Sequence, residues 1–306
     1  MTINDQTNSS FIMELLNEAR VEINPRKISL YETKKLPVGV DAQIIAEATG
    51  DFSIYVKNRS VSDYTLSHQI LHILAKEYIP SFVNVLEPDL IGMIGTELQG
   101  YLEHNWILAE QKRRGLEIDE FSVWDNIQDT IGQDEEGVKN FKRIMIINNI
   151  IRTFPEVLEK NYEFFREHNP RSLACAERIM SNYPNKHILS NYEAKQSTVR
   201  AIKEWKTIFV ENGLNPDGLA LLISVTAVFS QAQLEKRANL TLGLIPNVVK
   251  SKDGNNIHHA IYTQNDGQCC GLFQLDEDQI QQLNRYLKSL TLGEFLGVLP
   301  LPFYMR

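Results

Sequence analysis

The sequence predicts an α+β protein, and three observations lead to this fold class. Short β-prone segments lie near the N-terminus, long stretches with helical apolar spacing occupy the middle, and the end returns to a mixed pattern. The chain has 306 residues, of which 43% are hydrophobic. This is enough for one large domain or for two to three smaller ones with a buried core.

The N-terminal part of the chain combines one helix with three candidate strands. Residues Phe11 to Ile23 have the apolar spacing of a helix. Three β-prone runs follow, separated by the segment "LPVGVD" and the turn "TGD", and they cover Lys27–Thr33, Ala42–Ala48 and Phe52–Asn58. We therefore expect a small sheet after the first helix.

A second helix is expected directly after the sheet. Ser62 or Asp63 can accept hydrogen bonds from the first free helix amides as an N-cap. The apolar residues then recur with helical spacing at Leu66, Ile70, Ile73 and Leu74. His68 and His72 project from a different side of this helix, so neither is explained as part of the apolar face.

The remaining elements follow in order along the chain. A long helix is expected from Leu90 to Gly115, followed by an acidic loop over residues 116 to 136. Mostly helical spacing continues from Val138 to about Gln233, with three or four helices between proline-containing and glycine-containing breaks. The C-terminal part has three candidate strands and a final amphipathic helix, over Leu242–Val249, His258–Thr263, Cys269–Leu275 and Asp276–Leu290.

Charge and short motifs exclude several classes of function. The net charge is −8 and the isoelectric point is near 5.5. The densest basic cluster is only "QKRRG" at Gln111–Gly115, so we expect no nucleic-acid partner. The chain also has no glycine-rich phosphate loop and no G-x-S-x-G motif, which argues against nucleotide-binding enzymes and serine hydrolases.

Cysteine content and the N-terminal sequence indicate the compartment. Cys175, Cys269 and Cys270 form no C-x-x-C pair, and an odd number with two adjacent residues is a poor disulfide framework. The first ten residues are polar, and no apolar run is long enough to cross a membrane. We therefore expect a cytoplasmic protein without a membrane partner.

The two histidines of the second helix are candidate metal ligands. His68 and His72 lie one helical turn apart, so their imidazoles point the same way and can bind one ion. A third ligand is still needed, and the following helix offers Glu97 and His104, which share one face with Tyr101. We favour His104, because glutamate is common on any helix, and we keep Glu97 as the alternative or as a residue that orients a ligand.

The segment "FSIYVKNRSVSDYTLSHQILHIL", Phe52 to Leu74, resembles the active-site region of zincin metallopeptidases. In that family a strand precedes the helix that carries H-E-x-x-H, and a further ligand follows on another helix. The resemblance implies a zincin-like metallopeptidase domain over residues 1–130, with a Zn2+ cofactor and a peptide or protein substrate. A helical region, residues 131–240, and a mixed α/β region, residues 241–306, would follow it.

Carried over by position, the resemblance places His68 and His72 as zinc ligands and Gln69 at the position of the general base. A carboxylate there takes a proton from the attacking water, whereas an amide cannot. The chain as written should therefore be inactive or nearly so, while zinc binding survives. Either the residue silences a working peptidase, or the natural protein carries glutamine and uses its zinc for structure or recognition.

Two further roles complete the peptidase hypothesis. Tyr101 is a candidate for stabilising the oxyanion, and the strand Phe52–Lys57 is a candidate edge for an extended substrate. The alternative hypothesis is a non-catalytic protein that binds zinc or uses its helical region for protein interaction. A zinc hydrolase acting on another kind of bond would share all these ligands. The sequence leaves the oligomeric state open.

Overall fold

The computed structural model describes residues 9–36, 41–58, 61–85, 90–116, 124, 127–128, 131–134, 138–184, 186, 189–250 and 257–306. Helices and small sheets are both present, so the expected α+β class is confirmed. Two compact units make up the chain. The first comprises Met1–Pro80, Leu102–Asp134 and Lys142–Leu173, and the second comprises Ser81–Tyr101, Glu135–Phe141 and Ala174–Arg306. The division into three domains at residues 130 and 240 stays a prediction.

The first unit begins with a helix, a three-stranded sheet and a second helix. Their bounds are α1 Ser10–Glu22, β1 Ile28–Glu32, β2 Ala42–Ala46, β3 Phe52–Val56 and α2 Asp63–Tyr78. These elements agree with the sequence-based bounds to within a few residues. Of the two candidate N-caps of α2, Ser62 is the one whose side chain accepts a hydrogen bond from a backbone amide, that of Thr65.

The sheet has the order β1-β3-β2, with β1 parallel to β3 and β2 antiparallel to it. The expectation that Phe52–Lys57 forms a free edge is therefore wrong. Phe52 is paired with Ile28 on one side and with Ala46 on the other, so both sides of β3 are hydrogen-bonded to neighbouring strands. In this sheet the antiparallel edge strand is β2.

Apolar burial holds α1, α2 and the sheet together. The apolar face of α2 predicted from the sequence is buried, and α1 packs against the same helix. The buried apolar residues of the two helices include Ile12, Leu15, Leu16, Leu66, Ile70, Ile73 and Leu74. Because this stripe faces the core, the side of α2 that carries His68 and His72 is left for polar contacts.

A long helix, α3 Leu90–Arg113, follows the short strand β4 Val83–Val85. The part of α3 from Leu102 onward belongs to the first unit. From Val138 onward, the described residues form α4 Val138–Thr153, α5 Pro155–Lys160, α6 Tyr162–His168 and α7 Pro170–Met180. The expected acidic loop of residues 116–136 lies largely outside the described residues.

The second unit contains the helices α8 Asn191–Glu211, α9 Leu219–Leu222, α10 Gln231–Leu234, α11 Glu277–Ser289 and α12 Leu292–Val298. Its strands are β4, β5 Ile223–Val225, β6 Ala227–Phe229, β7 Leu242–Lys250, β8 Ile257–Thr263, β9 Cys269–Gln274 and β10 Phe303–Met305. The pairs are β4 with β5, β6 with β10, and β7-β8-β9 as an antiparallel sheet. The apolar residues of β6 and β9 pack with those of α11 and α12 in one core.

The helical prediction from Val138 to Gln233 is wrong at two short segments. Ile223–Val225 and Ala227–Phe229 are buried strands rather than helix. β-Branched and aromatic residues dominate both segments, and they pair with β4 and β10, which lie far away in the sequence. Long-range pairing therefore overrides the helical spacing.

No described helix is both long and apolar enough to cross a membrane. The three cysteines, Cys175, Cys269 and Cys270, are buried free thiols. Burial raises the pKa of the Cys269 thiol to about 11, which keeps that thiol protonated at neutral pH.

Candidate metal centre

Three histidine rings converge inside the first unit. His68 and His72 come from α2, and His104 comes from α3. The ring centroids are 5.0 Å apart for His68 and His72, 4.9 Å for His68 and His104, and 4.8 Å for His72 and His104. Each ring offers one nitrogen to the group, and these atoms all lie within 4.8 Å of one another. This three-histidine group could bind a metal ion.

The amide of Gln111 orients the ring of His68. Its Nε2 atom donates to the carbonyl oxygen of Tyr64 at 2.9 Å and to the hydroxyl of Ser67 at 3.2 Å. The Oε1 atom is thereby directed at Nδ1 of His68, 3.3 Å away. Because Oε1 can only accept, the proton of His68 is on Nδ1, and its Nε2 atom carries a free lone pair.

A carboxylate orients the second ring in the same way. Nδ1 of His72 lies 2.8 Å from Oε2 of Glu103, which accepts a hydrogen bond from the Nδ1–H group. Carboxylates and carbonyl groups that bind the outer nitrogen of a histidine are typical of metal sites, where they set the tautomer and raise the basicity of the ligand. Both histidines of α2 therefore present Nε2 as the free nitrogen.

The inner nitrogens of His68 and His104 face each other. Their Nε2 atoms are 3.1 Å apart. Two imidazole nitrogens at this distance need a proton or a cation between them, because two lone pairs would otherwise repel. A metal ion fits this requirement, and the donor set of three imidazoles suits first-row divalent metals.

The electrostatic surroundings keep His68 neutral. Burial, the neighbouring His72 and the charge of Arg152 lower its pKa to about 3, although the hydrogen bond to Gln111 acts in the opposite direction. Histidine binds a metal ion only in its neutral form. At neutral pH this ring is therefore already in the form that binds a cation, and no proton has to be released first.

Gln69, at the position of the general base, contacts the sheet. Its Oε1 atom accepts a hydrogen bond of 3.1 Å from the backbone amide of Ile44 in the edge strand β2. This bond attaches α2 to the strand. The side chain thus has a structural contact that a glutamate carboxylate could also make, because both groups offer an acceptor oxygen at the same place.

The structure does not bring all the predicted residues into this group. Glu97 is not a member of the histidine group, and with Tyr101 it lies in the part of α3 that belongs to the second unit. Tyr101 is buried, with its ring edge-to-face on Tyr183 at a centroid distance of 5.0 Å. The roles suggested for Glu97 as a ligand and Tyr101 as an oxyanion donor stay predictions.

Three residues of the site were not identified from the sequence. Glu103 and Gln111 orient the rings, and Arg152 acts on His68 by its charge. Gln111 lies seven residues after His104, so helical spacing alone could have indicated a shared face. No comparable signal relates Arg152 to the site, because the position of its charge depends on how α4 packs.

No family model, no curated protein and no solved structure matches the chain.

Proposed function

We propose that the chain binds zinc through His68, His72 and His104, and that this centre belongs to a metallopeptidase in which Gln69 suppresses turnover. The observation that supports the proposal best is the convergence of three imidazoles, of which His68 and His72 have their outer nitrogens held by Gln111 and Glu103. Three protein ligands with a remaining open position are typical of catalytic zinc, whereas structural zinc usually has four.

When bound, zinc supplies Lewis-acid activation of a water molecule and of the substrate carbonyl. The chain's own side chains would orient the metal ligands and hold the water molecule. Glu103 and Gln111 hold the imidazoles of His72 and His68 in one tautomer, and burial keeps His68 neutral. Gln69 can hold a water molecule by a hydrogen bond but cannot take its proton, so a general-base contribution of about 100- to 10,000-fold is missing.

The edge strand β2 supports a peptide as the substrate. An extended peptide can add to an exposed sheet edge through backbone hydrogen bonds. In this strand Ile45 is 41% exposed, and the neighbouring amide of Ile44 donates to the side chain of Gln69. A peptide on this edge would lie next to the residue at the general-base position.

The test compares three proteins with unfolded casein as the substrate: the chain as written, Gln69→Glu, and Gln69→Glu combined with His68→Ala. Restoring the carboxylate should raise hydrolysis at least about 100-fold, because the base can then accept the proton. The double variant should lose this gain together with the metal. If Gln69→Glu holds one zinc per chain but cuts neither casein nor a mixed peptide library, the peptidase proposal is wrong.

One observation favours a second candidate function, that of a non-catalytic zinc-binding protein. The hydrogen bond from Ile44 to Gln69 gives the glutamine a structural role that needs no catalysis. This candidate predicts bound zinc in the wild-type protein and no hydrolysis in Gln69→Glu. The same experiment therefore separates the two functions.

A further inference from the structure

A buried serine of α2 contacts the residue that orients His68. Ser67 directly precedes His68 in the sequence, and its side chain is completely buried. Its hydroxyl donates a hydrogen bond of 2.8 Å to the carbonyl oxygen of Tyr64 in the same helix. The hydroxyl proton is thereby used, so the oxygen is left to accept a hydrogen bond from another group. That group is Nε2 of Gln111 in α3, 3.2 Å away.

The amide of Gln111 is 1% exposed and has two unlike ends. Nε2 carries two protons, and it donates to the carbonyl oxygen of Tyr64 at 2.9 Å and to the hydroxyl of Ser67 at 3.2 Å. Oε1 carries no proton and faces Nδ1 of His68. The two acceptors on the nitrogen side therefore fix which end of the amide the histidine meets.

The orientation of the Gln111 amide decides which nitrogen of His68 is available. With Oε1 facing the ring, the proton lies on Nδ1 and Nε2 keeps its lone pair. A reversed amide would present an N–H group to Nδ1, and the ring proton would then lie on Nε2, which could no longer bind an ion. His72 has no such dependence, because the two oxygens of the Glu103 carboxylate are equivalent acceptors.

We propose that Ser67 is a positioning residue of the metal centre, which holds the Gln111 amide in the orientation that leaves Nε2 of His68 free to bind the ion. The Ser67 hydroxyl and the Tyr64 carbonyl supply the two acceptors that the amide nitrogen needs. The carbonyl belongs to the backbone, so Ser67 is the member of this pair that a side-chain substitution can remove. The inference rests on the proposed function as far as zinc binding, and not on peptide hydrolysis.

The first measurement is the tautomer of His68, read from the 15N chemical shifts of its ring nitrogens in chelator-treated protein. The unmodified protein should hold the Nδ1–H form. Ser67→Ala should show a fraction of the Nε2–H form, because one of the two acceptors that orient the amide is lost, while alanine keeps the helix. Thr198→Val is the matched control. Its buried hydroxyl also donates to a carbonyl of its own helix, that of Ala194 in the second unit, so the Nδ1–H form should persist.

The second measurement is zinc affinity, by competition with a chromophoric chelator. Ser67→Ala should weaken binding about 2- to 10-fold, as expected for the loss of one neutral hydrogen bond. Gln111→Leu should weaken it about 10- to 100-fold, because His68 then loses the group that orients it. The combined variant should bind zinc as weakly as Gln111→Leu alone, since Ser67 has no amide left to hold. Thr198→Val should bind zinc as the unmodified protein does.

Additive losses in the combined variant would overturn the inference, because Ser67 would then act on the centre without Gln111. The Nε2–H form of His68 in the unmodified protein, or an unchanged tautomer in Ser67→Ala, would overturn it as well. A protein that binds no zinc would instead contradict the proposed function. The tautomer of His68 in chelator-treated protein would still decide the role of Ser67, because that measurement needs no metal.

Discussion

Nδ1 of His72 and Oε2 of Glu103 lie 2.8 Å apart, and both side chains are largely shielded from water. Glu103 directly precedes His104 in α3, so one helix supplies a ligand and the group that orients another ligand. Carboxylates that accept a hydrogen bond from a ligand imidazole typically contribute about 10- to 100-fold to metal affinity.

Glu103→Ala should therefore weaken zinc binding by about 10- to 100-fold without changing the stoichiometry. The measurement is competition for zinc with a chromophoric chelator of known affinity. Glu110→Ala is the matched control, because this residue of the same helix pairs with Arg113 and Arg114. Equal affinities of the two variants would show that Glu103 does not orient His72.

The third ligand can be identified by metal content. His104→Ala should lose bound zinc, because only two imidazoles remain, whereas Glu97→Ala should retain one zinc per chain. Elemental analysis of freshly purified protein measures both. His258→Ala, in strand β8, controls for the loss of a histidine elsewhere. Zinc retained by His104→Ala but lost by Glu97→Ala would make Glu97 the ligand.

Acid should destabilise the metal-free protein through His68. The folded protein keeps this ring neutral down to a pKa of about 3, whereas the unfolded chain binds a proton below its ordinary pKa of 6.5. Between these values the unfolded state binds more protons, so the stabilisation is complete above pH 6.5 and is lost progressively as the pH falls toward 3.

Urea unfolding of chelator-treated protein between pH 7 and pH 4 measures this effect. The His68→Gln variant lacks the titrating group, so its free energy of unfolding should fall less steeply with acidification, by up to about 1.4 kcal/mol per pH unit. The chelator removes the separate effect of metal release. Identical slopes for wild type and variant would contradict a depressed pKa at His68.

Helix α3 packs closely against strand β4 at Gly95, in the second unit. A Cβ atom there would lie 2.1 Å from Cγ1 of Val85, so helix α3 and strand β4 approach closely at this point. Gly95→Ala should destabilise the protein by about 1–3 kcal/mol, because overpacking outweighs the gain in helix propensity. Gly297→Ala in α12 is the control, since its Cβ would meet nothing within 4 Å.

Gly297→Ala should be neutral or stabilising by up to about 1 kcal/mol, because alanine favours helix over glycine. Thermal or urea unfolding of both variants gives the comparison. If Gly95→Ala is as stable as Gly297→Ala, the side chain of Val85 must turn aside at little cost.

Local spacing predicted much of the fold. The three strands before α2, an N-cap at Ser62 or Asp63 and the two histidines one turn apart all follow from residues close together in sequence. The strands β5 and β6 did not follow, because they are stabilised by β4 and β10 rather than by local preference. The free edge was likewise assigned to β3 instead of β2, because strand order depends on pairing across loops.

The sequence by itself determined that His68 and His72 face the same way, because helix geometry relates residues four apart regardless of context. It also determined that the residue at the general-base position cannot take a proton, since this is a property of the glutamine side chain. Only the tertiary structure decided that His104 completes the group and that Glu103 and Gln111 hold the rings of His72 and His68. Those distances depend on how α2 packs against α3, and the packing is set by buried apolar surface rather than by the spacing of the ligands.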